Sequence, residues 1–229
     1  MKKSAIFGVI CIVFMAFSLG HLSAQEWTVY DGSVLPDAFA PAFVTSSGTF
    51  VAEENVIVDD DAISGNKLLR MDVPGKADGP EGQTAFYWRM KFDSYDIDIQ
   101  HLTVVMRAKG NPDRDMAVDI DMHYYNYRSR VTIHTGTNLA RVRNGTGDDV
   151  TLPVDVTEWN TYRFTMDTLA METKLYINED PTPAMVLAPV KATSSNRHFR
   201  FGDGDSGNNF GADIDWVIWD VTGAYAPGE

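Results

Sequence analysis

The stretch EWNTYRFTMDTLAMETKLYINEDPTPAM, residues 158–185, alternates apolar and polar side chains along its first half. Tyr162, Phe164 and Met166 fall on one parity, and Arg163, Thr165 and Asp167 on the other. A period of two sends alternate side chains to opposite faces of a strand, so this run reads as a strand with one buried face. A turn follows, and then a second strand that closes on Tyr176, Ile177 and Asn178. The whole is a hairpin led by Trp159.

Working outward, the same pattern recurs along the chain. Strands are expected at 49–58, 67–73, 84–92, 101–110, 116–125, 130–135, 139–143, 161–167, 173–179, 198–203 and 213–221. They are short and rich in Val, Ile, Tyr, Phe and Thr, with SGNK, KGNPD, TGTN and NGTGDD between them as turns. Short strands punctuated this way predict a β-sandwich or barrel. No long helix is expected, and no linker divides the chain. The expectation is therefore an all-β, two-sheet antiparallel sandwich forming a single domain over 25–229.

The segment before it reads as a leader. Lys2 and Lys3 precede an apolar run from Ala5 to Leu19, and Leu22-Ser23-Ala24 forms a small-residue end before Gln25. That is the pattern of a secretory signal peptide over residues 1–24, too short for a spanning helix. A secreted or periplasmic bacterial protein without membrane insertion is expected. The single cysteine, Cys11, lies in the leader, which leaves the remainder without disulfides or a thiol nucleophile. A net charge of −13 sets the surface against nucleic acid and anionic membranes.

Two further segments join the hairpin in a family likeness. FRFGDGDSGNNFGADIDWVIWD (199–220) is a strand, a Gly/Asp/Asn loop and an apolar strand, and WTVYDGSVLP (27–36) has the look of an edge strand that meets the last one. Together they resemble the concanavalin A-like lectin/glucanase superfamily, with its laminin-G-like and secreted bacterial members. The likeness is strongest over 158–220. It implies a jelly roll whose concave sheet engages a polysaccharide. It also implies a structural Ca²⁺ where the first and last strands meet, with Asp31 and Asp215 as ligands, and no organic cofactor.

The chemistry-bearing stretch is AVDIDMHYYNYRSRVTIHTGTNLARVR, residues 117–143. Asp119, Asp121, His123 and Tyr125 share the parity opposite Val118, Ile120, Met122 and Tyr124. DIDMH resembles a distorted form of the EIDIE strand of family 16 glycoside hydrolases. In that likeness Asp119 stands at the nucleophile, Asp121 at the central acid and His123 at the acid/base. Replacing the proton-donating carboxyl by His removes the carboxyl pair that retention requires. Between Met122 and Arg143 the chain has no Asp or Glu, but four Arg and two His. FYWRMK adds Tyr87, Arg89 and Lys91 on one parity.

A groove of Tyr87, Lys91, Asp119, Asp121, Tyr127, Arg130, His134, Arg141 and Arg143 would suit an anionic polysaccharide, because guanidinium forks read carboxylates and sulfates bidentately. The same groups allow a second reading, a polysaccharide lyase working by β-elimination. His123 and Tyr125 would move protons and Arg89 would neutralise the uronate. The third reading is a structural or adhesive protein in which the arginines balance Asp119 and Asp121 across strands.

Overall fold

The computed structural model describes residues 25, 27–46, 54–74, 86–92, 100–124, 126–192, 197–203 and 208–229. The leader, Tyr125 and the middle of the Gly/Asp/Asn loop lie outside the described residues, as do the ends of two expected strands, 49–53 and 84–85.

Sixteen strands carry the fold. In chain order they are β1 (Thr28–Tyr30), β2 (Val44–Ser46), β3 (Asn55–Asp59), β4 (Lys67–Val73), β5 (Tyr87–Lys91), β6 (His101–Gly110), β7 (Met116–Tyr124) and β8 (Tyr127–His134). There follow β9 (Leu139–Asn144), β10 (Val150–Thr151), β11 (Asn160–Asp167), β12 (Glu172–Ile177), β13 (Met185–Leu187), β14 (Val190–Lys191), β15 (His198–Gly202) and β16 (Phe210–Asp220). A 3₁₀ turn lies at Pro36–Ala38, between β1 and β2.

The strands form two antiparallel layers. One runs β10-β9-β8-β7-β15-β5-β2, and the other runs β3-β4-β16-β6-β11-β12-β13. A single parallel pairing, Phe210 with Met116, joins them. β1 continues the line of β4 along β16, with Thr28 opposite Trp219, so the first described strand does meet the last.

The core fills the space between the layers. Val104, Met106, Phe164, Ile214 and Trp219 from one layer pack with Ile120, Met122, Val131, Phe199 and Phe201 from the other. Phe43 is its hinge of contacts, with ring centroids 5.5 Å from both Trp219 and Phe201 and 5.9 Å from Phe199. Such edge-on aromatic packing adds to the area that each ring buries. One polar bridge crosses the core, where Ser129 Oγ and Thr173 Oγ1 share a 2.7 Å hydrogen bond.

A bulge at Asp215 interrupts the pairing of β16 with β6. It shifts the parity, so that Trp216 turns outward beside Arg107 while Val217 and Trp219 stay in the core. Trp88 is likewise buried, but Trp159 is half-buried beneath the Arg107 guanidinium, 4.6 Å away. Trp88 and Trp219 thus serve packing, whereas Trp159 and Trp216 are half-buried beside Arg107.

Candidate functional site

The polar parity of β7 faces away from the core, yet it is not open to solvent. Asp119, Asp121 and His123 are all buried. A buried carboxylate must be paired, because leaving it unpaired loses its hydration without return. Three arginines supply the pairing. Arg130 donates from Nε and Nη2 to the two oxygens of Asp119 at 3.0 and 2.7 Å. Arg128 does the same to Asp121 at 2.9 and 2.6 Å. Arg200 directs both Nε and Nη2 to Asp121 Oδ2, at 2.8 and 2.6 Å.

Register explains the pattern. Asp121 is directly opposite Arg130 on β8 and Arg200 on β15, but each β8 arginine reaches diagonally to the aspartate one step along. Diagonal neighbours on a sheet face lie within reach of long side chains. The three bonds are alike in another respect. Each arginine spends its Nε–Nη2 edge on an aspartate, and its Nη1 end has no partner among the described residues. The guanidiniums form the outer layer over the carboxylates, with Arg128, Arg130 and Arg200 side chains 23%, 12% and 15% exposed.

Tyr87, Arg89 and Lys91 enter the same face from β5, opposite Gly202, Arg200 and His198. The Arg200 guanidinium carbon lies 4.1 Å from the Tyr87 ring centroid, and that of Arg130 lies 6.0 Å away. His198 stacks on His123 with centroids 4.4 Å apart and planes 19° from parallel. His123 Nε2 is 3.2 Å from Asp121 Oδ1, a charge contact without hydrogen-bond alignment. On the far side of β8, Arg143 Nε donates to Thr132 Oγ1 at 3.2 Å, and His134 Nε2 is 3.5 Å from the same oxygen.

Protonation follows from these surroundings. Burial, then the neighbouring His123, Arg200 and Arg89 charges, push the His198 pKa down to about 2, so its imidazole is neutral. Burial, helped by the Asp119 charge, raises the Tyr87 phenol above its ordinary range and keeps it protonated. Burial alone would raise Asp121, but His123, Arg128 and Arg200 together hold its carboxyl well below the usual range. Buried polar atoms on this face without a hydrogen-bond partner among the described residues include Tyr87 Oη, both ring nitrogens of His123 and His198 Nε2.

The remaining expected residues fall elsewhere. Tyr127 packs against the core, since it pairs with Tyr124 and takes core parity when the chain turns between β7 and β8. Arg141 sits on β9 opposite Thr132, 4.0 Å from Asp149. Arg128, His198 and Arg200 complete the cluster and were not singled out from the sequence. The alternation of FRF in β15, which puts Arg200 opposite in parity to two buried phenylalanines, carried the signal. Two surface clefts lie away from this face, one lined by Arg70, Lys109 and Asp213, the other by Val150, Pro153, Ile177 and Pro183.

Asp31 and Asp215 do not fit a shared cation as they stand. Asp31 Oδ1 accepts from Ser33 N and Oγ at 3.0 and 2.6 Å, which closes a local turn. Asp215 accepts from Arg107 and, at 2.9 Å, from Asn66 Nδ2. Between them, Gly32 adopts a φ of +70° against the carbonyl oxygens of Asp215, Ile214 and Lys67. Among the described residues no group of three or more His, Cys, Asp or Glu is arranged to hold a metal ion.

No protein-family model matches the sequence, and no curated protein matches it. Solved structures do. A sialidase superposes with a TM-score of 0.51 at 10% identity, over 87% of this chain and 18% of its own. This chain therefore spans about a fifth of that protein. A Bacillus licheniformis β-glucanase gives 0.47 at 10% identity, over 86% of this chain and 92% of its own. Domain 4 of AbnA, an extracellular arabinanase from Geobacillus stearothermophilus in complex with arabinotriose, gives 0.47 at 14% identity, over 89% and 95%. The fold is a two-layer antiparallel β-sandwich of the jelly-roll kind. Within that jelly roll the Arg/Asp/His/Tyr cluster occupies the outward face of the layer built on β7, β8 and β15.

Proposed function

We propose that this face binds an acid-bearing carbohydrate. The observation that carries the reading is the side-on pairing of Arg128, Arg130 and Arg200 with Asp119 and Asp121. It fixes each guanidinium plane and leaves Nη1 for a ligand. A preorganised guanidinium loses little freedom when it meets a carboxylate or sulfate. Beside them Tyr87 Oη and His198 Nε2, both held neutral and without a hydrogen-bond partner among the described residues, are groups suited to hydroxyls. An acid group beside several hydroxyls describes a sugar acid, and the fold shared with a sialidase agrees with a carbohydrate ligand.

Affinity electrophoresis of the chain from Gln25 onward tests the reading. Gels containing polygalacturonate are expected to retard the protein, whereas gels containing neutral laminarin are not. Arg200→Ala is expected to abolish the retardation while Lys67→Ala, on the other layer, preserves it. Equal mobility in all gels would remove the proposal. N-terminal sequencing of secreted material tests the leader, with cleavage after Ala24 expected.

One observation favours a second reading, β-elimination from a uronide. The stacked His123 and His198 imidazoles share the face with the Arg200 guanidinium. Elimination needs a base to take the C5 proton, whose electron pair forms the C4–C5 double bond as the C4–O bond breaks and the departing oxygen is protonated. His123 would be the base and Tyr125 the acid, with Arg89 neutralising the carboxylate, the roles read from the sequence. Ultraviolet absorbance of the unsaturated product, lost in Tyr125→Phe, would establish it. Retardation without that absorbance assigns binding alone.

A further inference from the structure

We infer that the ligand of this face is a polyanion: a linear glycan carrying an acidic group on successive residues, with its chain running across the strands. The inference rests on the reading above and concerns the number of acidic groups engaged.

The reason lies in how the arginines are distributed. In the order β5-β15-β7-β8-β9, arginines occur on β5 (Arg89), β15 (Arg200), β8 (Arg128 and Arg130) and β9 (Arg141 and Arg143). Four inter-strand steps separate the first strand from the last, roughly 19 Å at about 4.8 Å per step. Guanidiniums spread over that distance cannot converge on one carboxylate. The strand without an arginine, β7, holds the two aspartates that fix the plane of the three central guanidiniums. Three cations against two buried carboxylates leave an excess of positive charge in a protein of net charge −13.

The orphan polar atoms spread along the other axis of the face. Tyr87 and His198 occupy opposite ends of the β5–β15 ladder, with Tyr87 paired to Gly202 and His198 to Lys91. Four residues separate these ends, about 13 Å of strand, so the two groups flank a chain that crosses the strands and meet hydroxyls on its opposite sides. A ligand with a single terminal acid would leave most of this array unused. The net charge of −13 repels every polyanion at long range, so the choice of a glycan rests on the neutral Tyr87 and His198 groups, which suit hydroxyls beside the acids.

Isothermal titration of the chain from Gln25 onward distinguishes the cases. The probes are monomeric galacturonate, trigalacturonate, polygalacturonate, a sulfated carrageenan free of carboxylates, neutral laminarin and single-stranded DNA. Affinity per acid group is expected to rise at least tenfold from monomer to trimer. The salt slope of the polymer is expected to exceed that of the monomer by several charges. Arg143→Gln, at the β9 end, is expected to weaken the polymer about tenfold, leave the monomer unchanged and keep the wild-type melting temperature. Polygalacturonate against carrageenan then tells whether carboxylate or sulfate is read. Monomer binding as tight as polymer, or an Arg143→Gln protein indistinguishable on polymer, overturns this inference and leaves the acid-sugar reading standing. DNA binding as tight as polygalacturonate also overturns it. Laminarin bound as well as polygalacturonate, or no binding by any glycan, removes the underlying reading itself.

Discussion

Arg200 lies over Tyr87, its guanidinium carbon 4.1 Å from the ring centroid, and both belong to neighbouring strands on the outward face of one layer. The contact is a cation–π pair, and the same guanidinium is anchored from below by Asp121. Two different restraints therefore set one plane. An ammonium in its place keeps the charge but loses both the fork and the stack. Arg200→Lys is expected to weaken polygalacturonate binding at least tenfold while shifting the melting temperature little, because Arg128 still pairs Asp121. Titration calorimetry beside a thermal melt separates the two effects. Full affinity in the lysine variant would mean that charge alone is read.

Asp121 is a different kind of position. It is fully buried and holds two arginines at once. Asp121→Asn leaves both guanidiniums without their counter-charge, a change that costs about 3–5 kcal/mol where one partner of a buried pair is removed. Chemical denaturation is expected to show that loss. The double variant Asp121→Leu with Arg128→Met is expected to recover part of it, since an apolar pair avoids the uncompensated charge.

How much of this was legible beforehand depends on distance along the chain. β4 and β6 were read to their ends, and the Asp119–Asp121–His123 parity held because the irregularity of β7, between Met116 and Val118, lies before it. Arg200 and His198 could be placed on a strand but not beside Asp121 and His123. That adjacency comes from β15 inserting between β5 and β7, a long-range pairing with no local signal. The short strands β2, β10, β13 and β14 are three residues or fewer, below the length at which a period of two can be recognised. The outward turn of Trp216 was not legible either, because a bulge shifts parity by one residue.

Phe43 tests the packing between the layers. It is 1% exposed and touches Tyr30, Phe199, Phe201 and Trp219 edge-on. Phe43→Ala is expected to cost about 3–5 kcal/mol through lost transfer energy and the cavity left behind. A denaturant midpoint unchanged from wild type would show that β2 and its flanking segment do not belong to the cooperative core.

Arg107 and Asn66 hold Asp215, and this bears on calcium. Millimolar calcium is expected to leave the wild-type melting temperature where a chelator puts it. Arg107→Met frees one edge of the Asp215 carboxylate, a ligand that a hard cation accepts. That variant is expected to gain a calcium-dependent rise. A rise already present in the wild type would place a cation at this end of the fold despite Arg107.

Acid titration separates His198 from Asp121 because both act with the same sign over different ranges. His198 has a folded pKa pushed down to about 2 from an ordinary 6.5. The unfolded chain therefore takes up its proton first, and stability falls as pH drops below 6.5 and goes on falling toward 2. Asp121 is also depressed, so its contribution is complete above the unfolded value of about 3.9 and is lost only below it. One group losing stability gives a slope of about 1.4 kcal/mol per pH unit. Urea midpoints between pH 7 and pH 4 are expected to decline in the wild type and to flatten in His198→Gln. Asp121→Asn is expected to keep the decline above pH 4 and to lose the further steepening below it. Equal slopes in wild type and His198→Gln would mean that the buried imidazole takes up its proton in the folded protein as readily as in the unfolded chain, with the Asp121 carboxylate as its counter-charge.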